Sequence, residues 1–302
     1  ETKKVRLLCL GMPIANRMDA VRVAEEYAML DVISRGRIEM GFVKGSVFEV
    51  TPANSNPATL AERFWEAHDL ILKALTTHDG PFNWEGQHYQ YRQVNVWPRP
   101  YQDPHPPVWM TVASPGSAKL VGEKGYVLAS LNSGYTNTPI IYDTYREAAK
   151  SAGHKAGLDR FAYLGIVGVG ATEEEGRRRA HQILDYSRTT PRVARQFQFP
   201  PGLVPPEVVG RELGNPSPRT FPLRDGSRVE MLKGTVDQYI DAGIAFAGTP
   251  DTVYAQIKEF YDHVGGLGHL LMMGQGGHLN HEDTVGNLTM FSEEVLPRLR
   301  EL

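Results

Sequence analysis

Cysteine is nearly absent. Cys9 is the only one in 302 residues, so no intrachain disulfide can staple the fold. It sits inside the apolar run Val5–Leu10, which places the thiol in the core rather than at a reactive surface. No apolar stretch approaches the roughly 18 residues of a membrane span, and no signal peptide is visible, so we expect a cytoplasmic protein with no membrane partner. Basic runs are missing and the net charge is −3, which removes the footprint of a nucleic-acid binder. An initiator methionine is missing as well. The chain opens Glu1-Thr2-Lys3-Lys4 and enters a strand at once, as the middle of a protein would.

What is present is the composition of an ordinary globular chain, 41% hydrophobic and 22% charged, long enough for a substantial core. Six apolar runs read as strands: Val5–Leu10, Arg37–Val43, Pro107–Ala113, Tyr126–Leu131, Phe161–Val169 and His269–Met273. Most are followed by a helical pattern, beginning with Arg17–Ile33 and Ala58–Leu75 and ending with Asp283–Leu299. Phe82–Tyr89 reads as a β-hairpin. Residues 189–234 are Pro- and Gly-rich and too long for a connector. They are expected to form an insertion before the last strand that closes over the site as a lid. Its Phe197, Phe199, Leu203 and Phe221 suit either an apolar ligand or docking on the barrel. The βα order fits a (β/α)₈ barrel or a doubly wound sheet. No G-x-G-x-x-G follows the first strand, and Gly41–Gly45 is too short for a P-loop. The barrel needs two further strands upstream.

In such barrels the reacting groups gather at the C-terminal strand ends. Those ends are Asn16, Val43-Lys44-Gly45, Thr111 to Ser117, Asn132, Gly168 to Gly170 and Gln275 to His281. They hold no carboxylate pair, no metal-ligand spacing and no nucleophile elbow. They do hold Lys44, glycines that let a flat ligand approach the backbone, and two serines at a helix start. Ser114 and Ser117, with Ala113 and Gly116 beside them, place two hydroxyls where first-turn N–H groups attract an anion. A plain cap, with Pro115 at the first helical position, explains the same residues. Lys44 is either a phosphate partner or a solvated lysine. His278 and His281 lie in a polar Gly-rich loop and are catalytic candidates or surface residues. A site of this kind binds a phosphorylated cofactor and leaves the hard chemistry to it.

The run Arg22-Val23-Ala24-Glu25-Glu26-Tyr27-Ala28-Met29-Leu30-Asp31-Val32-Ile33-Ser34-Arg35-Gly36-Arg37 resembles the R-x-A-E-E-x-A-x-L-D-x-x-S-x-G-R signature of bacterial luciferase-like flavin monooxygenases. Gly86-Gln87-His88-Tyr89, Pro104–Trp109, Ala113-Ser114-Pro115, Gly248-Thr249-Pro250 and Val295-Leu296-Pro297 extend the likeness over nearly the whole chain. The resemblance implies one TIM-barrel domain over residues 1–302. It implies an enzyme that binds reduced FMN, supplied by a separate NAD(P)H:flavin reductase, and oxygenates a small organic substrate through a C4a-hydroperoxyflavin. It implies phosphate contacts from Ser114, Ser117 and Lys44, where the family has arginine; lysine keeps the charge but loses the fork. Val43 and Thr111 match positions lining the flavin ring, with Gly45, Ala113 and Gly116 adjoining. It also implies a homodimer through the helix at Arg17–Ile33. Family members carry two βα units before the strand at Val5–Leu10, and these hold the acid or histidine beside the flavin. We therefore expect an incomplete barrel with its first two units missing, leaving His278 and His281 as the candidates present; eight barrel strands within the chain would refute that. Two other readings share the barrel: an F420-dependent oxidoreductase moving hydride without O₂, and a non-catalytic flavin-binding relative.

Overall fold

An aspartate decides where the first long helix begins. The Asp19 carboxylate accepts the Arg22 N–H at 3.0 Å, so helix α1 runs Ala20–Ser34 rather than from Arg17. It ends where Arg35 turns left-handed (φ +55°) and Gly36 follows at φ +78°. The computed structural model describes residues 2–45, 47–50, 52–189, 195–200, 202–215 and 218–302. It divides into two compact units, Glu1–Thr111 with Val193–Ser217, and Val112–Arg192 with Pro218–Leu302.

The first unit opens with strand β1 (Leu7–Pro13), α1 and β2 (Ile38–Val43). There follow a short helix α2 (Val47–Val50), α3 (Leu60–Thr76), the hairpin β3 (Phe82–Glu85) and β4 (Gln90–Val94), and β5 (Val108–Val112). β1 and β5 flank β2 in parallel, with Cys9 opposite Met40 and Met40 opposite Val108. β2 is accordingly buried on both faces, as a central parallel strand is, and its one charged residue, Glu39, is bonded to Arg6 and to the Trp109 indole. Phe42 meets Tyr27 of α1 edge-on at 6.0 Å. Glu66 of α3 ties down the hairpin by accepting the N–H groups of His88 and Tyr89 at 2.9 Å and the Trp84 indole at 3.1 Å. Burial pushes the Glu66 carboxyl up, but these donors outweigh it and hold it below its ordinary value. Cys9 corrects its sequence reading: it is exposed. Among the described residues β1 pairs with β2 alone, so its alternate residues face outward.

The second unit continues with α4 (Pro115–Glu123), β6 (Val127–Leu131), α5 (Gly134–Ser151), β7 (Phe161–Val169) and α6 (Glu173–Thr189). Helices α7 (Arg195–Gln198) and α8 (Pro206–Gly214) belong to the first unit. The second then resumes with a hairpin, β8 (Thr220–Pro222) and β9 (Arg228–Glu230), and α9 (Val236–Asp241). Strand β10 (Ala245–Gly248), α10 (Pro250–Val264), β11 (His269–Met273), α11 (His281–Met290) and α12 (Leu296–Leu299) complete it. β7 is its axis, with β6, β10 and β11 pairing to it in parallel. The described residues thus contain seven parallel strands, one more than predicted and fewer than eight. β10 corrects the place of the insertion, which precedes it rather than the last strand. Its four residues, Ala-Phe-Ala-Gly, are too few to show a period. Nor is 189–234 featureless, since two helices and a hairpin lie within it; residues 190–194, 201 and 216–217 fall outside the described set.

Two devices lock this unit. The buried Asn287 carboxamide accepts Val169 N–H at 2.6 Å and donates to the carbonyls of Val167 (3.0 Å) and Gly274 (2.7 Å), joining α11 to β7 and to the exit of β11. At the start of α6 the joint is bare backbone. A Cβ on Gly168 or Gly170 would strike the backbone of Gly176, and one on Gly176 would strike Gly248.

Candidate functional site

Parallel register brings the predicted ring-side residues of the first unit together. β2 and β5 run side by side through Phe42 opposite Met110, so Val43 and Thr111 follow as neighbours at the strand ends, both half-buried. Pro13, closing β1, pairs with Val43 on the other side. The chain then leaves β2 through exposed Lys44 and through Gly45, whose φ of +86° is left-handed. A Cβ on Gly45 would lie 2.8 Å from Asn16 Nδ2 and 3.2 Å from Pro13 Cβ.

Asn16 is the unusual residue there. It is 8% exposed, and both its Nδ2 and Oδ1 are buried with no hydrogen-bond partner among the described residues. An unbonded buried amide is costly and rare. Its position is imposed by neighbours: Arg63 of α3 donates to the carbonyls of Ala15 (3.1 Å) and Arg17 (3.3 Å), which fixes the turn Ile14–Asn16. The sequence placed Asn16 at a strand end but held no sign that its amide would be unsatisfied, because that depends on α3, 47 residues onward.

In the second unit Ser114 caps α4 in an extended conformation. The Ser117 N–H donates to Ser114 Oγ at 3.3 Å, the Ser114 N–H donates to Ser117 Oγ at 3.2 Å, and Pro115 fills the first helical position. Ser117 Oγ also donates to the Ser114 carbonyl at 2.9 Å. Ala113, Ser114 and Gly116 are exposed, and Gly116 has open space where a Cβ would stand. The capping chemistry is therefore present in full, at a surface an anion can reach.

Other strand-end candidates are placed elsewhere. Gly168 and Gly170 face α6, so their bareness serves packing and not ligand approach. Gly276 and Gly277 pack against Ile183 and Tyr186 of the same helix. His278 is exposed, 6.4 Å from the Tyr186 ring, and His281 is exposed at the start of α11. Among the described residues neither histidine forms an ion pair, and no three His, Cys, Asp or Glu side chains cluster as metal ligands. No helix among the described residues is long and apolar enough to cross a membrane.

Comparisons with known proteins agree with this picture. A family model described as luciferase-like monooxygenase matches residues 1–266. An F420-dependent glucose-6-phosphate dehydrogenase of Amycolatopsis mediterranei is 25% identical over 308 residues, covering 100% of this chain and 81% of that protein. The oxygenase component of a flavin-dependent trigonelline monooxygenase of Acinetobacter baylyi is 27% identical over 128 residues, 41% of this chain; the chain matches only 34% of that relative's length. Among solved structures, the oxygenating constituent of 3,6-diketocamphane monooxygenase from Pseudomonas putida, in complex with FMN, superposes with a TM-score of 0.74 at 22% identity, covering 98% of this chain and 80% of that one. That likeness shows the fold: α/β, of the luciferase-like barrel type.

Proposed function

Because the chain belongs to the luciferase-like monooxygenase family, whose members here are flavin- or F420-dependent oxidoreductases, we propose that it is an FMN-dependent monooxygenase. It takes reduced flavin from a separate NAD(P)H:flavin reductase and O₂ from solution, and oxygenates a small, apolar organic substrate. The bound flavin supplies the oxygen-activating chemistry. The observation that carries the reading is at the first unit's strand ends, where a buried amide with no hydrogen-bond partner among the described residues stands beside Gly45, near the Glu49 carboxylate. A carboxamide offers a donor and an acceptor side by side, the complement of the imide edge of a flavin's pyrimidine ring. Asn16 would pair with that edge, with Val43 and Thr111 against the ring. Each unit by itself also offers a phosphate contact: Lys44 as a cationic side chain in the first, and the Ser114 and Ser117 hydroxyls in the second.

An F420-dependent oxidoreductase is the second reading, supported by the end-to-end match to the glucose-6-phosphate dehydrogenase. A homodimer through α1 is also proposed, supported by the exposure of Met29, Leu30, Val32 and Ile33 on that helix. The deciding experiment is anaerobic titration with reduced FMN and with reduced F420, followed by mixing with O₂ under absorbance. Tight FMN binding and a long-lived oxygenated-flavin spectrum support the monooxygenase. Preference for F420 with no oxygen reaction supports the hydride reading, and FMN binding without substrate-dependent O₂ uptake points to a non-catalytic flavin protein. Binding of neither refutes all three and leaves Ser114 and Ser117 as caps.

A further inference from the structure

A cavity of about 290 Å³ lies wholly within the second unit, near the lower end of small-ligand sites. It is bounded by the exit of β6, the end of α6 and the β8–β9 hairpin. Ile166 of β7 is in its wall and belongs to the core cluster of Ala180, Ile183 and Leu184, so the cavity lies on the face of β7 that α6 covers. Apart from the β6 exit, none of the strand-end candidates takes part in it.

Its wall is chemically lopsided. Arg188 and Arg228 line it, and no carboxylate does. Arg188 lies mostly buried with its guanidinium over the Tyr239 ring, 5.0 Å from the centroid. One terminal nitrogen donates to the Gly234 carbonyl and the other meets Asp185 at 3.4 Å. Its Nε–H is buried and has no acceptor among the described residues. Among those residues Arg228 bonds only to Thr220, through Nε at 2.8 Å to the hydroxyl and through Nη2 at 3.1 Å to the carbonyl. Ser133, also in the wall, starts the 18-residue helix α5 without a side-chain capping bond. The first two N–H groups of that helix are already engaged, Gly134 donating to the Tyr163 hydroxyl at 3.1 Å and Tyr135 to the Ala242 carbonyl at 2.9 Å, so the cationic character of the wall rests on the two arginines. Phe221, Met231 and Tyr239 supply an apolar remainder.

We propose that this cavity is a second ligand site, for a small organic monocarboxylate with an apolar or aromatic body. The carboxylate would accept from Arg188 Nε and sit near Arg228 and the start of α5, and its body would lie against Phe221 and Met231. A monoanion is specified because Asp185 already offsets one of the two guanidiniums. The inference does not depend on the cofactor reading.

The test is calorimetric titration of the whole chain with 3-phenylpropionate and with its neutral amide. The acid should bind at least about tenfold more tightly than the amide, since the amide oxygen can meet the buried donor but only the carboxylate adds a negative charge and a second acceptor for the other guanidinium. Arg228→Gln, a change at an exposed residue, should remove most of that preference and leave the amide unaffected. Ser133→Asp, which sets a like charge at the wall, should abolish acid binding, and circular dichroism checks that both variants fold. Equal binding of acid and amide, no acid binding up to about 10 mM, or acid binding indifferent to both substitutions would overturn the proposal.

Discussion

Asn16→Leu should make the cofactor-free protein more stable and the cofactor weaker-binding. The wild-type side chain buries two polar atoms without partners, and mutational data put that at about 1–3 kcal/mol. Leucine removes the penalty and adds about 1–2 kcal/mol of apolar burial. Crowding against Gly45 and Pro13, which already stand near the amide, takes back about 1–2 kcal/mol. The balance is a gain of about 1–3 kcal/mol, or a melting temperature about 2–5 °C higher for a chain of this length. Affinity for reduced FMN should fall about tenfold or more, since the ring's imide edge loses its partner. Differential scanning calorimetry of cofactor-free protein and anaerobic fluorescence titration read the two effects separately. A lower melting temperature would show that Asn16 is already satisfied. A higher one with unchanged FMN affinity would show that the cofactor never reaches it.

Asn287→Ala should cost about 3–5 kcal/mol, because three backbone groups of β7 and the β11 exit lose their partner at once; urea unfolding with an unchanged m-value measures it. Arg178 and Arg179 hold the Asp283 carboxyl down to about 2 from an ordinary 3.8. Its folded pKa is depressed, so its stabilisation is full above about pH 4 and is lost as pH falls toward 2. Asp283→Asn should flatten acid unfolding in that window alone. Ile33→Glu, at a 70% exposed position on α1, should halve the mass found by light scattering if the proposed dimer forms, and leave the fold intact.

The parallel βα order was legible because apolar runs and helix caps are local signals. Ser114 was readable as a cap, and its hydroxyl accepts the Ser117 N–H. Strand β10 was not legible, since its four residues owe their conformation to β7 rather than to any period of their own. Cys9 was misplaced because an apolar run says nothing about how many neighbours a strand has. Among the candidate site residues, Val43, Thr111 and the serines are those that strand-end logic nominates. The state of Asn16 escaped it, because an unmet hydrogen bond is a property of everything packed around a residue.

The bare joint beneath α6 bears on how relatives of this chain should be compared. Any protein sharing that packing must keep Gly168, Gly170 and Gly176 small together, since a Cβ on each would meet backbone that no trimmed side chain can clear. An alignment would show three invariant glycines near the mouth of a strand, the very look of a ligand cradle. Here they record carpentry, and an engineer seeking altered chemistry should leave them alone and vary the residues that face away from the helix.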